Sequence, residues 1–212
     1  MSVSLIPVVE FEPARFATME RTPPTSGEEW ARYWQAALQD AGIVGLTPYA
    51  PGSWFVPVES LADPLAIRGL LDLALVDARE LGVDAIGPLN GGYVLEVGRF
   101  AVEPQCCGDL ANLEEWRIAA SIESRDWQPV WIGHPQTYVR AEADTLSFVE
   151  PSDEPPRPDT PTVSVGRDSL HAAIRLAEEL IEAFAMRLRP EVDALALGLS
   201  TGDVLDVLVG RA

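Results

Sequence analysis

Asn90-Gly91-Gly92-Tyr93-Val94-Leu95-Glu96-Val97-Gly98-Arg99-Phe100-Ala101-Val102-Glu103 is the stretch whose reading decides the fold. Residues 93–97 and 100–103 alternate in side-chain character, the two-residue period of a strand. Gly98-Arg99 between them puts glycine first in a two-residue connection, where a type II′ turn needs a positive φ. An antiparallel hairpin is expected, with Asn90-Gly91-Gly92 as turn geometry ahead of it. That glycine pair is not a phosphate loop, because the dinucleotide fingerprint and the P-loop need other spacing and a following helix. No cofactor is expected.

Upstream, residues 3–11 are β-prone and Pro7 suits them to an edge strand. Ser26 and Glu29 have capping-box spacing before Trp30, Trp34, Ala37, Leu38 and Ala41, which recur at helical spacing up to Gly42. Residues 54–58 read as a short strand. Asp63-Pro64 starts a second helix, with Leu65, Leu70, Leu71, Ala74, Leu75, Ala78 and Leu81 as its apolar face and Gly82 as its stop. Downstream, Asp109 caps a helix carrying Leu110, Leu113, Trp116 and Ala120. Residues 130–133 read as a strand, and residues 137–142 and 145–150 as a hairpin across Ala143-Asp144.

Five prolines between Pro151 and Pro161 exclude helix and favour extended backbone, marking a linker over residues 151–162. The expected organisation is an α+β domain over residues 1–150, the linker, and a helical region over residues 163–212 docked on the same core. Leu170, Ala173, Ile174, Ala177, Leu180, Ile181, Phe184 and Leu188 form its long stripe, halted at Pro190. A last helix from about Gly202, capped by Ser200 or Thr201, carries Val204, Leu205, Leu208 and Val209. Its apolar side must pack on the domain or on a second copy, so the oligomeric state stays open. The fold class is α+β: a central, mostly antiparallel sheet, two N-terminal helices and a long C-terminal helix.

The 212 residues are 47% hydrophobic and 23% charged, the balance of a folded soluble protein. A formal charge of −18 argues against nucleic acid and anionic membrane surfaces, which are held by basic patches. Lysine is absent, and every basic side chain apart from the two histidines is arginine. The N-terminus has no basic leader with an apolar core, and the apolar run over residues 192–209 is broken by Asp193, Gly198, Gly202, Asp203 and Asp206. A cytoplasmic location is expected, with no membrane partner.

Candidate chemistry gathers near Cys106-Cys107-Gly108-Asp109. A thiol enzyme would use Cys106 or Cys107 as nucleophile, His134 as base and Asp109 to orient the imidazole. Against this, Asp109 serves as well as a helix cap, and the pair reads first as small buried side chains filling space between hairpin and helix. Free thiols are the default over a vicinal disulfide. Cys106, Cys107, His134 and His171 add up to a zinc set, but adjacent cysteines in a strand point to opposite faces, so no metal is expected. His134 before Pro135 takes extended or turn backbone at a strand end. Trp127 and Trp131 are the tryptophans to seek at a surface.

The block Pro104-Gln105-Cys106-Cys107-Gly108-Asp109-Leu110, with Trp116 and Trp131-Ile132-Gly133-His134-Pro135, resembles one found in small bacterial proteins to which no activity is attached. The order of helix, helix, Asn90-Gly91-Gly92, hairpin, a strand ending Ile132-Gly133, hairpin and C-terminal helix is similar to the SUKH superfamily, which includes immunity proteins that neutralise bacterial toxins. That resemblance implies an α+β scaffold acting by binding, suited by its acidity to a basic toxin. The expected function is non-catalytic protein binding. Glu96, Glu103, Asp109, Glu114 and Glu115, with Trp127 and Trp131, would engage a cationic protein partner. The alternative is a small cysteine-dependent hydrolase or transferase using Cys106, Cys107, His134 and Asp109.

Overall fold

A hairpin forms where the glycine-led turn demanded one: β3 (Gly91–Val97) and β4 (Phe100–Val102) pair antiparallel, with Val97 opposite Phe100 and Gly98 at φ +65°. The computed structural model describes residues 2–18, 21–24, 27–75, 81 and 83–211. Before the hairpin lie β1 (Val3–Glu10), α1 (Gly27–Asp40), β2 (Phe55–Pro57) and α2 (Pro64–Ala74). After it come α3 (Leu113–Ser121), β5 (Gln128–Val130), β6 (Thr137–Glu142), β7 (Thr145–Phe148), β8 (Val163–Gly166), α4 (Arg167–Ala194) and α5 (Thr201–Leu208). Helices with antiparallel sheets and a long C-terminal helix make this an α+β protein.

The chain divides into two compact units, Met1–Pro7 with Asn90–Glu182 and Val8–Leu89 with Ala183–Ala212. In the first, β1 neighbours β3, and β5 to β8 form an antiparallel meander in sequence order. The β6–β7 turn has Ala143 at φ +51°, a left-handed position filled without glycine, with Glu142 opposite Thr145. The proline-rich segment does not separate domains. It joins β7 to β8, whose Val163 pairs with Phe148, so the sheet resumes beyond the prolines within the same unit.

The core of this unit closes over Trp116 of α3, fully buried with its ring 5.9 Å from that of Phe148. Asp109 caps one 3-10 turn, Leu110–Asn112, that leads into α3: its carboxylate accepts from Ala111 N–H while Asn112 accepts from Asp109 N–H. At the other end the Arg167 guanidinium donates to the carbonyls of Ala120 and Ile122, satisfying groups that a helix C-terminus leaves open. Strand β5 ends at Val130, so Trp131, Ile132 and Gly133 lie outside the strand expected there.

In the second unit, Val8, Val9 and Glu10 of β1 pair with β2. With β2 and β3 as neighbours, β1 is not the edge strand that Pro7 suggested. Pro7 precedes the residues paired with β2, so its missing N–H costs that ladder nothing. Asp63 caps α2 as expected, and Ile67, Leu70, Leu71 and Leu75 are buried while Leu65 faces solvent. Ser26, Ala78 and Gly82 lie outside the described residues.

Helix α4 passes Pro190 and ends at Ala194, rather than stopping at the proline. The proline forfeits one ladder hydrogen bond, and the turn beyond it buries Val192, which opposes that loss. Ser200 caps α5 by accepting from Asp203 N–H. The apolar tail packs on its own chain: Val204, Leu205, Leu208 and Val209 are buried, and Leu208 accepts from Leu89 N–H. Among the described residues, no helix is long and apolar enough to cross a membrane.

Candidate functional site

Three glycines let three pieces of backbone of the first unit approach more closely than side chains would allow. A Cβ on Gly108 would lie 2.7 Å from Gly91 O and 2.9 Å from Ile132 O, and one on Gly133 would lie 2.5 Å from Gln105 O. Gly92, at φ +133°, brings its Cα close to Pro104. Segment 104–109 is thereby held between residues 90–92 and 132–134. Gly91 N–H donates to Gly108 O at 2.9 Å, Gln105 N–H to Ile132 O at 3.1 Å, and His134 N–H to Cys106 O at 2.9 Å. Bridges Asn90–Asp109 and Cys106–His134 result.

This clamp carries its cysteines outward. Cys106 and Cys107 are both exposed and neither is in a disulfide, which corrects the expectation of a buried packing pair. Gly92 and Gly108 sit where a Cβ would meet Pro104 or neighbouring backbone at 3.0 Å or less, so glycines and not the cysteines fill the close contacts of this corner. Cys107 sits at φ +65°, uncommon for a residue with a Cβ, so the alternation that sends adjacent side chains to opposite faces does not hold here.

The components of the thiol-enzyme reading are directed elsewhere. Cys106 Sγ donates to the backbone carbonyl of His134 at 2.9 Å. The His134 imidazole has its Nε2 3.3 Å from an Asp153 carboxylate oxygen, and both side chains are well exposed. Asp109 caps Ala111, so the carboxylate beside His134 is Asp153 and not Asp109. Burial raises the Asp109 carboxyl above its ordinary range in spite of the two backbone hydrogen bonds that favour its charge. His171 lies exposed on α4, and among the described residues no group of three or more His, Cys, Asp and Glu side chains gathers where a metal ion would sit.

Of the two tryptophans sought at a surface, Trp131 is 45% exposed, whereas Trp127 is half-buried with the Arg140 guanidinium 4.6 Å from its ring centre. Trp131 N–H reaches Glu115 of α3 at 3.4 Å, and its ring lies 6.4 Å from that of His134. Ile118, one turn beyond Glu115 on α3, is 46% exposed. The remaining carboxylates expected at a binding face differ in state. Glu114 pairs with Arg117, which also holds Glu178; Glu96 is half-buried; burial raises the Glu103 carboxyl.

The sequence reading missed Asp153, inside a segment read as linker, and Arg140, which covers one of the two tryptophans. No local pattern marks either: Asp153 reaches His134 across 19 residues of chain. Comparison of the chain with family models, with curated proteins and with solved structures gave no match.

Proposed function

We propose that this protein is a non-catalytic binding module, docking a basic protein through the corner where Trp131 emerges. The observation that carries the reading is Trp131 itself, a large aromatic left 45% exposed on backbone tied to Glu115 and followed by the Gly133 clamp. Rigid aromatic side chains ringed by polar groups are what interface hot spots are built from. Glu115, which accepts from Trp131 N–H, and Asp153, 3.3 Å from the His134 imidazole that neighbours the Trp131 ring, supply carboxylates at this corner. A net charge of −18 favours encounter with a cationic partner and makes association salt-sensitive. An immunity-type inhibitor that occludes a basic toxin, as the SUKH resemblance implies, fits this reading.

A photo-crosslinking amino acid in place of Trp131 provides the test, with one in place of Val44, exposed in the second unit, as the control. One basic protein should crosslink at position 131, not at 44, with a yield that falls as salt is added. Absence of any specific crosslink at 131, or capture of acidic proteins indifferent to salt, contradicts the proposal.

A further inference from the structure

Cys106 and Cys107 are two exposed thiols one peptide apart, held on backbone that is hydrogen-bonded at Gln105, Cys106 and Gly108. Adjacent cysteines are poorly placed to bond each other. Neighbouring Cα atoms stand about 3.8 Å apart across a trans peptide, below the roughly 4.4–6.8 Å of ordinary disulfides. A single bridging atom lifts that restriction, because the sulfurs are then separated by a bond angle at the bridge rather than joined by a bond. At φ +65° Cys107 is not in extended backbone, so strand alternation does not dictate that the two sulfurs lie on opposite faces. Among the described residues no group of three or more His, Cys, Asp and Glu side chains gathers, so the pair suits a soft centre satisfied by thiolates and not a hard cation needing an oxygen cage.

We propose that Cys106 and Cys107 form a dithiol site for a soft trivalent metalloid of the arsenic(III) class, supplied as its hydroxide. Each thiol displaces one hydroxyl group. A sulfur–arsenic bond forms, an arsenic–oxygen bond breaks, and the thiol proton departs with the hydroxyl as water. Two such steps release two waters and leave arsenic(III) with one hydroxyl, with no change of oxidation state and no need of an oxidant. Capture ends the Cys106 hydrogen bond to the His134 carbonyl. The site stands independently of the docking function proposed above.

The test uses the full chain with phenylarsine oxide, whose arsenic takes both sulfurs with loss of one water, followed by arsenite itself. One probe should bind per chain by intact mass, and both thiols should vanish from alkylation together. A small dithiol should reverse this where a monothiol at the same concentration does not. Cys106→Ser and Cys107→Ser should each weaken binding by about 100-fold, the low end of what a second tethered contact confers. Two probes per chain, a single-serine variant that binds as the parent does, or thiols still open to alkylation after treatment overturns the proposal. Should either variant fail to fold by circular dichroism, stoichiometry and reversal on the parent chain decide.

Discussion

At Gly133 the backbone holds φ +117° with a would-be Cβ 2.5 Å from Gln105 O, so two penalties coincide at one residue. Gly133→Ala should cost about 3 kcal/mol, from left-handed strain and a contact with backbone that cannot swing away. Gly198→Ala has the same kind of φ in open space and should cost about 1 kcal/mol. Urea denaturation of the two variants checks the difference, and equal losses would mean that the clamp yields. Single residues were legible in the sequence where the chemistry is local: Asp63 and Asp109 as caps, Gly98 as a turn. Exposure of Cys106 and Cys107 was not, because it follows from glycines 91, 92, 108 and 133 meeting across more than forty residues of chain.

Among the elements, α3 shows how a short helix is held at both ends. Its start rests on the Asp109–Asn112 box and its finish on Arg167, the first residue of α4. Arg167→Ala leaves the carbonyls of Ala120 and Ile122 without their charged donor and should destabilise by about 2 kcal/mol, with Arg167→Lys recovering only part. A chemical melt showing no loss would place those carbonyls in water. Both hairpins and both C-terminal helices were legible from period and turn chemistry. The run-on of α4 through Pro190 was not, since local propensity favours a stop and only packing of the following turn opposes it. The proline-rich segment was likewise read correctly as irregular and wrongly as a boundary, because prolines report backbone freedom and not which strand comes next.

For the molecule as a whole, charge sets the response to pH. Glu10, Glu103 and Asp109 have carboxyls raised by burial, so each costs stability at neutral pH and returns it as pH falls through its raised value. Asp40 does the reverse: the Arg21 guanidinium and Thr18 hold it at about 2, so its contribution is complete above the ordinary value of 3.8 and lost as pH drops from 3.8 toward 2. With a net charge of −18 also relieved on acidification, thermal stability should rise as pH falls from neutral through the raised carboxyls and turn down again as Asp40 titrates between 3.8 and about 2. Asp40→Asn should flatten the acid limb alone; a melting temperature that falls steadily from neutral pH downward would contradict this balance. A binding function rests on the corner around Trp131 being preformed. Amide hydrogen exchange at Gly91, Gln105, Gly108 and His134, together with native-state alkylation of Cys106 and Cys107, tests this most directly. The four amides should be protected to the level of the β6–β7 ladder while both thiols react without unfolding. Exchange at loop rates, or thiols that react only on denaturation, would show that no rigid docking corner exists.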